Sequence, residues 1–445
     1  MKLILKLTLI SSIVVFFLFG CSDDTNTPPS DKAVASCEGC HTNYSHLKEV
    51  YTPDSTGPAG GCGGEAPYYE PYDRVFMGGT GYAEYKESAH YEIGCVGCHN
   101  GVDKTSDKKV AHSGTFVAHP STISSEKCGT CHKEITDHFK TSIHNGFGQK
   151  RKVCIRSGFT GPDDFDKLPA EQQKGYKANC ATCHANCGEC HVIRPTLGGG
   201  GLISGHNFNK TPDMVNVCVT CHTSRGGHAF LGVGTGTQPD VHQTKGFTCL
   251  SCHKGTEMHG DGNKVEQRYA YSKLPKCEDC HATLSNNQYH NMHKDDFNCQ
   301  TCHSQVYNNC GSCHVHGAGA RVPSYMDFKI GVNPIRDIKT KFKLSTVRRT
   351  LGAPDNWKEY GVAQYSNFDA LPTYNFTTPH NILRWTERTK VEVGQSCSYN
   401  CHIRKVGTEL VNKKWYLFES DLLDWEKAAS KKVTVDNALP EDWLK

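Results

Sequence analysis

The sequence has few apolar residues for its length, little methionine and no strong charge bias. Apolar residues make up 37% of the 445 residues, there are 6 Met, and 49 Lys and Arg nearly balance 46 Asp and Glu. The chain has instead 25 Cys and 25 His. Small secreted domains use many cysteines because they cannot bury an adequate core, but a chain this long can bury one. This is not the composition of an ordinary cytosolic enzyme, and the thiols must serve another purpose.

The first twenty residues have the pattern of a secretion signal. Lys2 and Lys6 give a positive start, and the apolar run over residues 7–19 is too short to span a bilayer comfortably. Residues 18–21 resemble a bacterial lipoprotein signal, in which Cys21 becomes the lipidated first residue, although Phe19 replaces the usual small residue. The alternative is an uncleaved anchor with an incidental cysteine.

We therefore expect a signal peptide over residues 1–20 and a flexible, lipid-anchored tether over residues 21–36. The tether is rich in Thr, Pro and Ser, as flexible linkers are. By the same resemblance, Ser22 favours the outer membrane over the inner one. The sequence thus predicts an exported outer-membrane lipoprotein on the periplasmic or cell-surface side.

The motif Cys-x-x-Cys-His occurs ten times, whereas chance at this composition predicts roughly 0.1 copies. An eleventh copy has three residues between its cysteines. We number these motifs 1 to 11 in chain order. Their cysteine pairs are Cys37 and Cys40, Cys95 and Cys98, Cys128 and Cys131, Cys180 and Cys183, Cys187 and Cys190, Cys218 and Cys221, Cys249 and Cys252, Cys277 and Cys280, Cys299 and Cys302, Cys310 and Cys313, and Cys397 and Cys401. The histidines that end them are His41, His99, His132, His184, His191, His222, His253, His281, His303, His314 and His402.

This motif has the chemistry of covalent haem attachment. Two thiols add across the two vinyl groups of a haem, and the adjacent His becomes an axial ligand of the iron. Zinc sites also use paired cysteines, but they draw four ligands from two separated pairs and do not require a His after each second Cys. Disulfides do not explain the adjacent His either. The sequence therefore predicts about eleven covalently attached haem c groups.

Three cysteines remain outside the eleven motifs. Cys21 is assigned to lipid, which leaves Cys62 and Cys154. An exported, oxidising environment favours a disulfide between these two. A thiolate ligand or a reactive thiol at Cys62, within its glycine-rich stretch, is the alternative.

Fourteen histidines lie outside the motifs, and eleven would be needed if every iron had two His ligands. The candidates chosen as distal ligands are His46, His90, His119, His144, His206, His242, His293 and His380. An iron with two imidazole ligands has no open position for substrate, and the 6 Met are too few to raise the potentials of the whole set. We therefore expect low-potential haems that pass electrons.

Two pairs of motifs are very close in sequence. Two residues separate motifs 4 and 5, and six separate motifs 9 and 10. Haems attached so close together in sequence must lie near one another. The two doublets also resemble each other and indicate an internal repeat, although its period is too irregular for a solenoid.

The segments 85–90 and 139–144 share the pattern aromatic-x-x-Ser-x-His. This pattern resembles an element of multihaem cytochromes related to hydroxylamine oxidoreductase and tetrathionate reductase, over about residues 37–320. The resemblance implies that His90 and His144 are distal haem ligands. Several reductases of that group end the motif of the catalytic haem in Lys, and no motif here does, so no catalytic residue is assigned.

We expect the fold of a multihaem cytochrome c, with haems in its core, mostly irregular structure, short α-helices and little β. Residues 37–320 are predicted to form an electron-transfer domain with ten haem sites, residues 321–396 a haem-free lobe, and residues 397–445 the eleventh site and a tail. The tail is expected to have a strand over residues 414–418 and a helix from Ser420, which suits an N-cap.

Eleven ferric haems with ionised propionates would change the formal charge from +3 to about −8. Nucleic-acid binding therefore has no support. The expected function is electron transfer at the cell envelope, to redox partner proteins, an extracellular electron acceptor or copies of the same chain, with the membrane reached through lipidated Cys21. The alternative is an oxidoreductase that acts on a small nitrogen or sulfur compound at one open haem. A haem-bearing structural subunit is a weaker third interpretation.

Overall fold

The computed structural model of the chain describes residues 34–55, 68–223, 226–233, 237–265, 267–284, 287–306, 328–350 and 352–443. The predictions for the signal peptide, Cys21 and most of the tether lie outside these residues. So do Cys62 and the whole of motif 10, with Cys310, Cys313 and His314.

Short helices and irregular segments dominate the described residues. The two longest α-helices have 10 residues each. The α-helices, α1 to α19 in chain order, are Cys37–Thr42, Tyr44–Val50, Pro71–Val75, Thr80–Lys86, Gly94–His99, Lys108–Ala111, Ser124–Lys127, Lys133–Phe139, Phe147–Arg156, Ala170–Asn179, Cys187–His191, Thr220–His222, Gly227–Leu231, Cys249–Cys252, Gly255–His259, Gln288–His293, Gln300–His303, Ser398–Cys401 and Asp424–Ser430. Isolated helices this short are marginal in water, so packing or a bound group must hold them.

Sheet structure is confined to the C-terminal part of the described chain. Strands β1 (Lys329–Val332), β2 (Leu344–Arg349) and β3 (Tyr374–Phe376) form an antiparallel sheet in that order. Strands β4 (Arg404–Val406) and β5 (Glu409–Val411) form a separate antiparallel pair. The predicted fold class, mostly irregular with short helices and little sheet, is confirmed.

The three-stranded sheet supports an ordinary hydrophobic core. Ile330 and Leu344 cluster with Ile403, Trp415 and Tyr416 of the tail. A second cluster joins Trp357 and neighbouring aromatic residues to the segment 153–176. The residues predicted as a separate lobe and tail therefore share buried contacts with each other and with helices α9 and α10.

A buried ion pair links the same sheet to helix α19. Arg349 Nε and Nη2 each donate to the Glu426 carboxylate at 2.9 Å, and Glu426 is 0% exposed. Thr373 Oγ1 donates to the same carboxylate at 2.8 Å. These bonds satisfy a charge that would otherwise be costly to bury.

The structure of the tail differs from the sequence-based prediction. Residues 413–415 form a 3-10 turn, and the expected strand is reduced to an isolated bridge between Tyr416 and Ile330. Residues 415–418 are all buried, so the alternation of a strand with one solvent face is lost. The helix begins at Asp424 and not at Ser420, because Asp421 accepts a hydrogen bond from the Phe418 amide and closes a separate turn.

Candidate haem-attachment sites

The described attachment motifs are folded into single tight turns. In motifs 3, 7 and 8 the amide of the final His donates to the carbonyl of the first Cys, at 2.8, 2.9 and 2.8 Å. Ser36 Oγ caps α1 by accepting from the Gly39 amide at 2.9 Å, and Asn186 and Glu189 form a capping box around α11. One turn thus brings both thiols and the imidazole together.

The longer motif 11 keeps the same local geometry. The amide of His402 donates to the carbonyl of Ser398 at 2.9 Å, so the turn starts one residue after Cys397. The inserted residue is accommodated before the turn, and Cys397, Cys401 and His402 all reach the same cavity as the regular motifs.

One connected cavity of about 4130 Å³ joins the motifs. Small-molecule pockets usually have about 300–1,000 Å³, so this cavity is large enough for several such groups. Both cysteines and the His of nine of the ten described motifs line it. Motif 4 is the exception, since only Cys183 of its three residues is part of the lining.

Nine of the motif histidines face a second histidine at nearly constant distance. Suppose that two histidines bind one metal ion from opposite sides, with metal–nitrogen bonds of about 2.0–2.1 Å as found for zinc. The two nitrogens are then about 4 Å apart, and the ring centres are about 6 Å apart. The ring-centroid distances are 6.1 Å for His41 and His112, 6.0 Å for His99 and His206, 6.1 Å for His132 and His90, 6.0 Å for His191 and His259, 6.3 Å for His222 and His144, 5.9 Å for His253 and His380, 6.1 Å for His281 and His242, 6.2 Å for His303 and His290, and 6.0 Å for His402 and His293.

These pairs include six of the eight histidines predicted as distal ligands. His46 and His119 line the same cavity but belong to none of these nine pairs, although His119 lies near His99. Sequence reasoning missed His112, His259 and His290, which do face one. The only local signal for His290 is its place three residues before His293 on helix α16.

Motif 4 has different surroundings. The ring of His184 lies 6.1 Å from the ring of Tyr176, and the two planes are nearly parallel. Cys180 packs against the cluster that contains Trp357 and Tyr365. This motif therefore faces the protein core more than the shared cavity.

Hydrogen bonds to the outer ring nitrogen orient many of the facing histidines. A neutral ring that donates its Nδ1 proton keeps a lone pair on Nε2 for a metal. The Nδ1 atoms of six rings lie near backbone carbonyl oxygens: His41 and Val75 at 3.1 Å, His99 and Val117 at 2.9 Å, His112 and Lys108 at 2.9 Å, His191 and Asn209 at 2.7 Å, His293 and Tyr289 at 2.9 Å, and His303 and Leu383 at 3.3 Å.

Burial keeps several of these rings neutral at physiological pH. It lowers the pKa of His41 and of His99, and lowers the pKa of His206 to about 4. His253 is different, because a hydrogen bond to Glu257 raises its pKa. Neutral imidazole is the form that binds metals, so burial prepares the first three rings for that role.

The two aromatic-x-x-Ser-x-His segments place their histidines with backbone help. Ser142 Oγ accepts from the amide of His144 at 3.1 Å and donates to the carbonyl of Met258 at 2.8 Å. In the other segment, Ser88 Oγ donates to the carbonyl of Tyr85 at 2.6 Å. The serine of each segment therefore fixes the turn that presents the following histidine.

Neighbouring motifs lie close enough for their thiols to interact, and the contacts follow chain order. The pairs that interact directly are Cys128 with Cys187, Cys218 with Cys249, and Cys277 with Cys299. Weaker electrostatic contacts link Cys37 with Cys95, Cys98 with Cys128, Cys190 with Cys218, Cys252 with Cys280, and Cys302 with Cys401. The motifs numbered 1, 2, 3, 5, 6, 7, 8, 9 and 11 thus form a continuous row.

The disulfide predicted between Cys154 and Cys62 stays a prediction, because Cys62 lies outside the described residues. The Cys154 thiol is 0% exposed within the apolar cluster around Phe165 and Trp357. Burial raises the pKa of this thiol to about 11. The Cys154 side chain therefore packs as part of an apolar cluster.

Two features are absent from the described residues, a cluster of metal-binding side chains and a membrane-spanning helix. No group of three or more His, Cys, Asp or Glu side chains has the arrangement of a metal-ion site. None of the described helices has the length and apolar character needed to cross a membrane.

Comparison with known proteins gives one distant resemblance. No protein-family model matches the chain, and no solved structure matches it. The chain is similar to two proteins named C-type polyheme cytochrome OmcB, from Geobacter sulfurreducens strains DL-1 / KN400 and ATCC 51573 / DSM 12127 / PCA. Each is 25% identical over 283 residues, which cover 51% of this chain and 37% of the relative. The chain therefore spans little more than a third of the length of these relatives.

Proposed function

We propose that this protein is a multihaem c-type cytochrome that transfers electrons along a row of haems with two histidine ligands each. The observation that carries the proposal is the set of nine histidine pairs, each built on an attachment motif and opening into one cavity. The resemblance to c-type polyheme cytochromes supports it.

The roles of the residues follow from the motif. The paired cysteines would hold each haem through thioether bonds, and the motif histidine and its facing partner would bind the iron. Haem iron supplies a reversible one-electron exchange between the ferric and ferrous forms. The protein fixes the order of the sites, excludes water and orients the ligand rings through their carbonyl partners.

The paired histidines favour electron transfer over catalysis. An iron held by two imidazoles keeps no exchangeable position for a substrate. Continuity of the row from motif 1 to motif 11 suits a conduit whose two ends meet different partners. We propose redox proteins, an extracellular acceptor or further copies of this chain as those partners.

We further propose export and anchoring at the outer membrane through lipidated Cys21. The support is the signal-like segment before Cys21 and the polar stretch after it. Replacing Cys21 with Ser should release haem-loaded protein from the membrane fraction in soluble form. Continued tight association of this variant with membranes would contradict lipid anchoring.

Two measurements on the mature protein test the proposed function. Intact mass under denaturing conditions should show eleven covalent haems, and a value of ten would remove one motif from the set. Electron paramagnetic resonance of the oxidised protein should show only low-spin iron. A high-spin signal that changes on addition of nitrite, hydroxylamine or sulfite would favour the oxidoreductase.

A further inference from the structure

In two of the paired histidines, His242 and His253, the Nδ1 atom contacts a carboxylate and not a backbone carbonyl. Asp240 Oδ1 lies 2.8 Å from His242 Nδ1. Both oxygens of Glu257 lie 2.9 Å from His253 Nδ1. The side chains of Asp240 and Glu257 are only 3% and 11% exposed. Both contacts are therefore charge-assisted hydrogen bonds in a largely dry environment.

Asp240 is held in place by further hydrogen bonds. Its Oδ1 accepts from the His242 amide at 2.7 Å and its Oδ2 from the Ile382 amide at 2.6 Å. Backbone amide donors stabilise the ionised carboxylate. The position of the carboxylate behind His242 is thus fixed by the fold.

Six other rings of the row have a neutral partner at Nδ1. In each of them Nδ1 lies within hydrogen-bond distance of a backbone carbonyl oxygen, to which it donates. The Nδ1 atoms of His144 and His206 are buried with no hydrogen-bond partner in the described chain. The Nδ1 atoms of the paired histidines therefore range from those with no hydrogen-bond partner in the described chain to those that donate to a carboxylate.

The two carboxylates serve neighbouring sites. His253 belongs to motif 7 and faces His380, whereas His242 faces His281 of motif 8. The cysteines Cys252 and Cys280 of these motifs also lie near each other. Both negative charges therefore act on one short stretch near the middle of the row.

A carboxylate that accepts the Nδ1 proton makes the opposite ring nitrogen more basic and a stronger iron ligand. A nearby buried negative charge also favours ferric iron, which has one more positive charge than ferrous iron. Lys254 and Arg268 lie in the same region and offset part of this field. Neither Lys254 nor Arg268 can accept a hydrogen bond from a ligand ring, so they do not change the effect of the carboxylates on the basicity of the ligand rings.

We infer that Asp240 and Glu257 lower the reduction potentials of the haems of motifs 7 and 8 below the values that carbonyl partners at Nδ1 would give. This inference rests on the proposed function. Its consequence is that two neighbouring sites near the middle of the row are harder to reduce. The two carboxylates thereby slow the passage of electrons between the two halves of the row.

The test is a potentiometric titration of the haem-loaded full chain, followed by optical and electron paramagnetic resonance spectra. Asp240→Asn and Glu257→Gln remove one charge each but keep an oxygen that can accept the same hydrogen bond. Each variant should raise the reduction equilibrium of one haem by at least about tenfold, which equals an upward shift of about 59 mV for a one-electron couple. The double variant should move two components.

Glu278→Gln is the matched control. Glu278 lies in motif 8 and its charge acts on Cys277, so the substitution removes a nearby charge without touching a ligand ring. The control should shift the potentials much less than Asp240→Asn does. Equal shifts in control and test variants, or no shift in Glu257→Gln, would overturn the inference.

The spectra separate this inference from the proposed function. If the low-spin signals of all variants match those of the parent protein and the potentials do not change, only the role of the carboxylates fails. If the parent protein itself lacks low-spin signals, the paired-histidine function fails. Asp240 also bonds the Ile382 amide, so Glu257→Gln decides the outcome if Asp240→Asn does not fold.

Discussion

The region of residues 34–306 and the region of residues 328–443 are built in different ways. The second is less than half as long, yet it contains more than half of the buried apolar residues of the described chain. Its strands and tail share continuous apolar clusters. The second region has motif 11, and the first region has the other nine described motifs and most of the residues that line the cavity. The helices of the first region are mostly single turns.

The difference shows which forces hold each region. Residues 328–443 bury their apolar side chains in clusters of the polypeptide, one of them shared with helices α9 and α10, so the hydrophobic effect of the polypeptide orders them. Residues 34–306 surround a large cavity, and many of their apolar side chains would contact haem in place of one another. We therefore expect the first region to depend on covalent haem for its stability and the second to depend on it far less.

Producing the chain without haem attachment should have the largest effect. Amides in residues 34–306 should lose most of their protection from hydrogen exchange, because the turns of the motifs have neither thioether bonds nor a filled interior. Amides of strands β1 to β3 should keep measurable protection. Mass spectrometry of deuterium uptake, peptide by peptide, gives the comparison. Equal loss in both regions would show that the sheet also depends on haem.

Glu426→Gln should weaken the second region strongly. The substitution leaves Arg349 beside a neutral group in a buried site, where removing one partner of an ion pair costs about 3–5 kcal/mol. Denaturant unfolding followed by the fluorescence of the buried tryptophans measures the change. Asp424→Asn on the same helix is the control, since its pair with Lys427 is exposed and its loss should have little effect. A similar stability for both variants would contradict the importance of the buried pair.

The sequence predicted the attachment motifs, which are local, but could not predict which histidine faces which motif. The eleven motifs are contiguous, so their positions could be read directly, and the short helices around them follow from their spacing. The facing histidines come from elsewhere in the chain: His112 faces His41 and His259 faces His191. Of the facing histidines, only His90 and His144 are marked by a motif, because their segments resemble a known element. No periodicity marks the other facing histidines, since each is placed by the packing of its own turn.

The tail shows the same limit at the level of secondary structure. Residues 414–418 have the composition of a strand, but Trp415 and Phe418 are buried in the cluster of Ile330, while Leu417 packs with Val347. Contacts on both faces override the strand pattern. Local propensity is a weak guide where tertiary burial is this complete.

Leu417→Ala should reduce stability by about 2–5 kcal/mol, which is usual for removing a fully buried leucine side chain. The loss would come from the apolar cluster and not from haem, so it should be nearly the same with and without haem attachment. Leu423→Ala is the matched control, because Leu423 is exposed and its truncation should change stability by less than about 0.5 kcal/mol. If the loss of stability in Leu417→Ala depended strongly on haem content, the second region would depend on haem as the first one does.

Ser36→Ala should have the smallest effect, and it tests how far covalent attachment replaces ordinary helix capping in the first region. Ser36 Oγ accepts the Gly39 amide at 2.9 Å and caps the turn that contains Cys37, Cys40 and His41. Loss of an N-cap costs about 0.5–2 kcal/mol. In the haem-loaded protein thioether bonds hold the same turn at both cysteines, so only the hydrogen exchange of the Gly39 amide and its neighbours should become faster.

Ser36→Asp is the control, because it keeps an acceptor at the cap and should restore the original exchange rate. If Ser36→Ala exchanges no faster than the parent protein, the thioether bonds alone hold the turn. If it unfolds the surrounding helices as well, local capping contributes more to the first region than the comparison with residues 328–443 implies.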